Sequence, residues 1–491
     1  MSVQPNDPAA STTSIASTSS ATSQRRSSRT VAMDLVAFGD IASVAVGALL
    51  PASIYHYFGD MPINWGIVIQ SGLIGGFICF LWLRNAAMYD LERMHDLPTH
   101  PLRLLAGATI AVAAVISIAL PVLAAHWDIT VCFVTWLSAS YTLILMNRGI
   151  ARAVLARMSA AGRFQRSVAV FGAGSISRRV HNHLHKNETG ISFIGVFDDR
   201  IATDRINAEG LDVSGKLDDL LTKAYAGEID DIIIALPQSA EDRISGIVRK
   251  LDQAPCNVHI VTHIESDLIP SRSAIRVSQI GEVGLIDVKD KSLADWATVV
   301  KRAEDIVVAT IGLIMVSPIL LVSAIAIKLD SKGPVIYRQR RRGLNRQVID
   351  VLKFRTLTVT DNDDQVRQVT VGDKRVTRVG SFLRRTSIDE LPQLWNVLKG
   401  EMSIVGPRPH ALVHDEQFSS MLEDYANRHQ VKPGITGLAQ VKGFRGETRT
   451  PDCIKDRVDQ DIAYVRSWSL WLDIKIIVKT ITVVVTGENA H

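Results

Sequence analysis

The sequence predicts an α/β protein with membrane helices. It combines a four-helix transmembrane bundle, a doubly wound α/β domain, and a mostly α-helical C-terminal domain that a re-entrant membrane helix precedes. Four apolar runs near the N-terminus are each long enough to cross a bilayer, and strands alternate with helices from Ser167 onward. A fifth apolar run is interrupted by Ser317-Pro318 and has basic residues on both sides.

The composition is typical of a membrane-associated chain with several domains. Its 491 residues suggest about three domains, and 47% of them are hydrophobic. The net charge is only +4, and no nucleic-acid partner is expected. The four cysteines are not spaced like metal ligands, so we expect neither zinc nor a disulfide framework, and a reducing compartment fits.

The N-terminal tail, residues 1–30, is polar. Ser or Thr occupies 14 of its 30 positions, and it contains no apolar segment of the kind found in signal peptides. Such a composition cannot build a core, so the tail is predicted to be disordered.

The four-helix bundle is predicted within residues 31–147. Its apolar runs lie at 31–54, 65–83, 104–125 and 129–146. Residues 84–103 carry three arginines, the basic linker 148–166 carries five, and the turns at 56–64 and 126–128 carry no Lys or Arg. The positive-inside rule therefore places both ends of the bundle in the cytoplasm, as in a multi-pass protein of a bacterial inner membrane.

Asp40 lies within the first predicted span, where a carboxylate is by default a functional hypothesis. Because spans two to four carry no ionisable partner, we favour a hydrogen bond between helices of the bundle instead.

Residues 167–290 are predicted to form the doubly wound domain, with strands at 167–171, 193–198, 231–236 and 258–261. Gly172 and Gly174 lead from the first strand into a helix whose N-terminus suits a phosphate, and Asp198 or Asp199 is placed to meet a ribose. Ser177 replaces the third glycine of the dinucleotide fingerprint. A structural or regulatory role of this domain is therefore as open an alternative as nucleotide binding. No redox cofactor is expected.

Residues 300–328 contain the fifth apolar run, 306–327, which follows Lys301, Arg302 and Asp305. A full crossing would put the remainder of the chain outside the cell, but the far flank is as basic as the near one. Pro318 removes a helix hydrogen bond, and Ser317 can help satisfy the freed backbone groups. We predict a re-entrant helix–break–helix, with a kinked ordinary span as the alternative.

Residues 329–491 form the C-terminal domain. A strand near residue 350 ends in Lys353 and Arg355, two cations suited to phosphate, whereas the basic run 340–342 could be only an anchor on anionic lipid. The acidic stretch 361–364 resembles the Asp-x-Asp of some glycosyltransferases, but in so polar a run we favour a solvated loop.

Asp389 and Glu390 stand side by side at the start of a short predicted helix that ends at Gly400. The helix macrodipole favours ionised acids there, so one carboxylate could attack phosphorus and the other could hold Mg²⁺ or take a proton. The alternative is an N-cap followed by a first-turn acid, which Pro392 would suit. Periodicity does not separate the two readings.

From Lys301 to the C-terminus the chain resembles the bacterial sugar transferase family, the polyprenyl-phosphate hexose-1-phosphate transferases with a monotopic core. The matching blocks are Lys301-Arg302-x-x-Asp305, Ser317-Pro318, Gly333-Pro334-Val-Ile-Tyr337-Arg338-Gln339, Lys353-Phe354-Arg355-Thr356, Leu383-Arg384-Arg385-Thr386-Ser387-Ile388-Asp389-Glu390-Leu391-Pro392-Gln393, Met402-Ser-Ile-Val-Gly406-Pro407-Arg408-Pro409, Lys432-Pro433-Gly434-Ile-Thr436-Gly437-Leu-Ala-Gln440, and Tyr464 with Trp468-Ser-Leu-x-x-Asp473. The layout as a whole resembles the large members of the family.

The resemblance implies a chemistry for these residues. Asp389 would attack the β-phosphorus of a UDP-sugar and expel UMP, and undecaprenyl phosphate would then take the phosphosugar from the carboxylate. Glu390 would be the Mg²⁺-binding partner acid. Phosphate-binding residues would be Lys353, Arg355, Arg384 and the Pro407-Arg408-Pro409 motif. Catalysis would take place at the cytoplasmic face of the inner membrane.

The sugar cannot be read from the sequence. Within the family the usual donors are UDP-glucose and UDP-galactose, the usual context is exopolysaccharide or capsule initiation, and we favour glucose. A membrane-anchored dehydratase or epimerase is disfavoured because no tyrosine has Lys four residues later. Inner-membrane lipids are expected partners, and a homodimer is an open alternative.

Overall fold

The computed structural model describes residues 28–59, 63–89, 101–123, 128–187, 191–200, 212–261, 277–280, 283–289, 293, 295–358, 375–422, 424–444 and 451–486. The chain forms two compact units, one spanning Arg25–Gln165 and the other containing Arg166–His491. The predicted acidic stretch 361–364 and the predicted tail, except residues 28–30, lie outside the described residues.

The first unit is helical. Its helices are α1 (Arg29–Gly47), α2 (Leu49–Gly59), α3 (Trp65–Asn85), α4 (Pro101–Leu123) and α5 (Ile129–Ala160). Four stretches of this unit are long and apolar enough to cross a membrane, and they coincide with the four predicted runs: Arg29–Phe58, Trp65–Asn85, Pro101–Ile118 and Ile129–Ala160. Helix α5 continues through most of the residues predicted as a linker.

Asp40 is fully buried in this unit and has a charged partner that the sequence analysis did not expect. Its Oδ2 accepts from Arg148 Nε at 3.1 Å and from Arg148 Nη2 at 2.7 Å. Asn147 and Tyr89 donate to the same carboxylate. The predicted interhelical hydrogen bond is therefore confirmed, but it belongs to a buried ion pair, because α5 extends far enough to carry Arg148 into the bundle.

The second unit begins with an α/β domain. Its elements are β1 (Arg166–Phe171), α6 (Ser175–Asn187), β2 (Ile191–Phe197), β3 (Val213–Gly215), α7 (Leu217–Tyr225), β4 (Asp231–Ile234), α8 (Glu241–Leu251), β5 (Asn257–Val261), β6 (Val277–Ile280) and β7 (Val283–Lys289). The sheet has the order β3-β2-β1-β4-β5-β7-β6. The first five strands in this order are parallel, and β7 and β6 are antiparallel additions.

Apolar side chains cover both faces of this sheet, as a doubly wound arrangement requires. Phe171, Phe197 and Ile232 belong to one buried cluster, and Val170 and Ile233 to another. The alternation follows from the period of two along a strand. The predicted α/β domain and its four predicted strands are thus present.

The C-terminal domain is mostly helical. It comprises α9 (Asp295–Asp330), β8 (Ile336–Arg342), β9 (Val348–Phe354), α10 (Arg378–Arg385), α11 (Gln393–Lys399), β10 (Ser403–Val405), α12 (Leu412–Met421), β11 (Gly434–Thr436), α13 (Leu438–Val441), α14 (Pro451–Arg466) and α15 (Leu470–Thr486). Strands β8 and β9 form an antiparallel hairpin, and β10 pairs with β11 in parallel.

The first turns of α9 are fixed to this domain by the three predicted charged residues. Lys301 donates to Asp473 at 2.6 Å, and Arg302 donates to the carbonyls of Val397 and Leu398 at the end of α11. Asp305 accepts from the Ser403 hydroxyl and from the Ile404 amide. These residues are therefore anchors rather than parts of a substrate site.

Helix α9 contains Pro318 and continues across it, so no interruption of helical structure marks the predicted break. The Ser317 hydroxyl donates to the carbonyl of Ile314 at 2.9 Å. Since Pro318 has no N–H for that carbonyl four residues earlier, the predicted role of Ser317 is confirmed. The stretch is the fifth in the described residues that is long and apolar enough to span a membrane.

Candidate active site

Asp389 and Glu390 lie in a short 3₁₀ turn, Ile388–Glu390, between α10 and α11. Ser387 opens the turn with φ 56°, a left-handed conformation that few non-glycine residues adopt. Helix α11 begins only at Gln393, so the acids precede it rather than standing at its start as predicted, and the alternative of an N-cap followed by a first-turn acid does not hold. The left-handed residue directs the acids toward the β8–β9 hairpin instead.

Glu390 is held by two cations. Arg408 donates to Oε1 at 2.6 Å and to Oε2 at 3.1 Å, and Lys353 donates to Oε1 at 2.9 Å. Burial alone would raise the pKa of Glu390, but these two charges outweigh it and hold the pKa well below the usual range. Glu390 is therefore ionised, and Arg408 and Lys353 hold its carboxylate in place.

Asp389 has a different environment. Burial raises its pKa to about 6, and the neighbouring Glu390 charge adds to the rise. Three cations, Lys353, Arg384 and Arg408, oppose that rise without cancelling it. Among the described residues none donates a hydrogen bond to Asp389, so its oxygens are free to react. The helix macrodipole was expected to favour the ionised form of both acids. Glu390 is ionised because of its ion pairs, whereas the pKa of Asp389 is raised.

Arg408 comes from the predicted Pro407-Arg408-Pro409 motif, which follows β10 directly. The path of this loop depends on close backbone contact between Gly406 and Gly434, where a Cβ on Gly434 would lie 2.1 Å from Gly406 N. The Pro407 carbonyl accepts from the Gly434 amide at 3.0 Å. Glycine at both places lets β10 and β11 approach each other and so carries Arg408 to Glu390.

The other two predicted phosphate cations have different surroundings. Arg384 is exposed near Asp389 and donates through Nε to the Thr356 hydroxyl at 2.9 Å, leaving its outer nitrogens toward solvent. Arg355 is buried and donates to the carbonyls of Pro334 and Ser331. The structure does not bring Arg355 to the acids, because it directly follows β9 and its guanidinium lies at the end of α9. In this structure its guanidinium bonds to the segment between α9 and β8, and its predicted substrate role stays a prediction.

Two further arginines support the site, and the sequence analysis assigned neither a role there. Arg341 on β8 donates to the carbonyl of Pro409 and to Gln339, and Arg428 donates to the carbonyl of Arg408 at 2.6 Å. Arg341 was placed in a run that could bind lipid. Arg428 stands outside the quoted blocks, and its polar neighbours in the sequence give no signal of its burial.

The glycine turn of the α/β domain lies apart from this cluster. The carboxylate of Asp198 accepts from the Ala173 amide within the turn at 2.9 Å and pairs with Arg200 and Arg243. Its partners hold the pKa of Asp198 below the usual range against the effect of burial. Gly172 has φ +111°, which explains the glycine there, and the Ser177 hydroxyl donates to its carbonyl. Asp198 therefore binds the turn itself, so it is not oriented toward a ribose.

A protein-held Mg²⁺ site does not fit the donors in this cluster. In the described residues no group of three or more acidic, His or Cys side chains could hold a metal ion. Both Glu390 oxygens already accept from cationic side chains, which disfavours a second cation on them. Asp389 alone would leave most of an octahedral shell to substrate and water.

Comparisons with known proteins match this architecture. Residues 296–487 match the bacterial sugar transferase family, and residues 85–262 match a CoA-binding domain family. The UDP-glucose:undecaprenyl-phosphate glucose-1-phosphate transferase of Klebsiella pneumoniae is 37% identical over 453 residues, covering 90% of this chain and 93% of that protein. A protein of the same name from Escherichia coli K12 is 43% identical over 293 residues, 60% of this chain and 61% of that one. The undecaprenyl-phosphate glucose phosphotransferase of Komagataeibacter xylinus is 32% identical, covering 87% of this chain and 79% of that protein.

Proposed function

Because the chain belongs to the bacterial sugar transferase family, we propose that it transfers glucose-1-phosphate from UDP-glucose to undecaprenyl phosphate and releases UMP. The relatives that cover most of the chain carry the name of this reaction.

The observation that carries the proposal is the contrast between the two adjacent acids. Glu390 is neutralised by Arg408 and Lys353, whereas Asp389 accepts no hydrogen bond from the described residues. An uncommitted carboxylate beside three cations is suited to attack a phosphorus whose oxygens those cations neutralise. We therefore assign Asp389 as the nucleophile and Glu390 as the group that fixes the cations.

The reaction proceeds in two displacements. An Asp389 oxygen attacks the β-phosphorus of UDP-glucose, the bond from that phosphorus to the bridging oxygen breaks, and UMP leaves with the electron pair. A phosphate oxygen of undecaprenyl phosphate then attacks the same phosphorus and regenerates the carboxylate. Splitting the transfer means that the nucleotide and the lipid do not need to be bound together.

We propose that Mg²⁺ arrives with the diphosphate of the UDP-sugar as part of the substrate. In that role it supplies neutralising charge to the diphosphate oxygens. Arg384 and Arg408 supply the fixed positive charge from the protein side, and bidentate arginine geometry suits phosphate oxygens.

The re-entrant path of α9 is supported by the contacts at its two ends. Near its start, Asp305 bonds to Ser403 and Ile404, and near its end Ile327 packs with Phe354 and Leu383. Both ends of the apolar stretch thus contact one folded domain, which a helix that crossed to the opposite side would not allow. We propose that α9 enters and leaves the cytoplasmic leaflet on the same side.

Exposed apolar side chains support a lipid-facing surface on this domain. On α9 they include Ile314, Met315 and Leu329, which are 69%, 73% and 83% exposed. On α15 the face opposite buried Ile476 exposes Trp471 and Val478. Apolar patches of this kind mark membrane contact in a protein with spanning helices. Helix α15 therefore packs on the core with one face and offers the other face to lipid.

A donor screen tests the proposed function. Membranes containing the protein are mixed with undecaprenyl phosphate and, in parallel, UDP-glucose, UDP-galactose or N-acetylated UDP-sugars, and UMP release is measured. We expect UDP-glucose to give the highest kcat/KM and a lipid-linked glucose product. A preference for UDP-galactose would correct the sugar, and no UMP from any donor would refute the transferase.

The pH profile follows from the environment of Asp389. The nucleophile must be ionised, and burial raises its pKa to about 6, so its reactive fraction falls as the pH drops through that value. We expect the rate of UMP release at low substrate to halve near pH 6. An acid limb near pH 4, typical of an unperturbed aspartate, would contradict the assignment.

Topology can be measured by cysteine labelling. We expect Arg340→Cys, in a Cys453→Ser background that removes the exposed native thiol, to react with an impermeant maleimide only after the inner membrane is permeabilised. Tyr57→Cys, which is 81% exposed at the predicted outer turn, serves as the matched positive control in intact cells. Labelling at position 340 in intact cells would mean that α9 crosses the membrane.

A further inference from the structure

The loop that presents Arg408 is held by its backbone from two sides. Arg341 donates to the Pro409 carbonyl, and Arg428 donates to the Arg408 carbonyl and to His410 Nδ1, the latter at 2.8 Å. Burial and the Arg428 charge keep the pKa of His410 well below its usual range, so its ring is neutral and Nδ1 accepts. Three consecutive residues of the loop are thus bound to the guanidinium groups of partly buried Arg341 and buried Arg428.

Arg428 has no spare donor. It is buried, its Nε and Nη2 bond to Asp461, and Nη1 also donates to the Tyr425 hydroxyl at 3.0 Å. With the two loop contacts, all five N–H groups of the guanidinium are used. A guanidinium whose five N–H groups all have partners fits in one position only. Because one of these partners is the Arg408 carbonyl, the position of Arg428 determines that of Arg408.

Arg428 belongs to a 3₁₀ segment, Tyr425–Gln430, which we call the brace. The brace contacts the α/β domain at the end of α8. Gln430 donates to the Asp252 carbonyl at 2.9 Å, and Asn427 donates to the Asp252 carboxylate at 3.3 Å. Lys289 on β7 donates to the carbonyls of Leu251, Asp252 and Ala254 and so fixes that helix end.

A continuous set of hydrogen bonds therefore runs from α8 through the brace to Arg408 and on to Glu390. We propose that Arg428 is a positioning residue for the transfer, and that the α/β domain acts on the reaction by holding the brace that carries it. This rests on the proposed function for its effect on rate. Small displacements of a phosphate-binding arginine are enough, since a misplacement of about 1 Å can lower a rate by about 100-fold.

Two variants near Asp252 distinguish the positioning of Arg408 by the brace from general contact with the α/β domain. Gln430→Ala removes the hydrogen bond from the brace to the Asp252 carbonyl, whereas Arg466→Ala removes an exposed ion pair to the Asp252 carboxylate and leaves the brace intact. We expect Gln430→Ala to lower kcat/KM for UDP-glucose by about tenfold and Arg466→Ala to leave it unchanged. Arg428→Lys, which keeps the charge but not the fork, should lose at least as much as Gln430→Ala.

Two readouts exclude a merely structural effect. In an Arg408→Ala background, Gln430→Ala should cause no further loss of rate, because the group that the brace positions is already absent. Amide hydrogen exchange at residues 408–411 of the full-length protein should rise in Gln430→Ala and not in Arg466→Ala, whatever reaction is catalysed. Equal fold-losses in both backgrounds, or unchanged exchange, would overturn the positioning role, whereas absent wild-type turnover would overturn only the proposed function.

Discussion

Asp389→Asn is expected to abolish UMP release from UDP-glucose. The amide keeps the size of the side chain but cannot attack phosphorus, and no other carboxylate of the cluster can replace it because Glu390 is bound by Arg408 and Lys353. We expect a loss of at least about 10⁴-fold, the scale of removing a nucleophile that acts as a unit with its neighbours. The measurement is UMP formed per folded enzyme with saturating UDP-glucose.

The matched control is Asp452→Asn, an exposed acid at the start of α14. It should turn over at the wild-type rate. Substantial turnover by Asp389→Asn, with thermal stability equal to that of the wild type, would show that another group attacks the β-phosphorus.

Arg408→Ala is expected to have the second largest effect. It removes the bidentate partner of Glu390 and one of the three cations around Asp389. Loss of a preorganised donor to a developing negative charge lowers kcat by about 10²–10³-fold, and we expect a change of that size in the rate of UMP release. Arg408→Lys should recover only part of it, since an ammonium lacks the planar fork.

The control for the loss of a positive charge is Arg249→Ala, an exposed residue on α8. Its rate should be unchanged. If Arg408→Ala were as active as this control, the cation cluster would not be the phosphate site.

The sequence was sufficient where local chemistry determines structure. Repeated apolar runs, the strand–helix alternation and the Ser317-Pro318 pair each depend on nearby residues, and the corresponding helices, sheet and hydrogen bond are present. The family resemblance assigned Arg408 and Lys353 to the same site as the acids, and in the structure both pair with Glu390.

Long-range partners were not predictable in the same way. The partner of Asp40 lies more than 100 residues away, and only the length of α5 decides that Arg148 reaches it. Arg355 was assigned to phosphate because it is two residues after Lys353, yet its guanidinium is used by the Ser331 and Pro334 carbonyls. Whether a hydrogen-bond donor already has a partner depends on how the whole chain packs. The spacing of residues in the sequence does not reveal it.

The pKa of Asp389 likewise could not be predicted from the sequence, because it depends on the packed surroundings of the side chain. Its place beside a helix suggested a carboxylate stabilised by the macrodipole, but the structure puts a 3₁₀ turn there and buries the group. Burial and a like-charged neighbour then raise the pKa of Asp389, while arginine and lysine lower that of Glu390. The neighbours of the two adjacent acids therefore shift their pKa values in opposite directions.

The mass of the intact protein reports directly whether Asp389 forms a covalent intermediate with the phosphosugar. Purified, lipid-stripped enzyme is incubated with UDP-glucose and no undecaprenyl phosphate, and the protein mass and free UMP are measured together. We expect the protein to gain one hexose phosphate, UMP to appear in equal amount, and Asp389→Asn to show neither. Lipid-linked glucose formed at the normal rate while the protein never gains this mass, even when quenched within one turnover, would contradict this expectation.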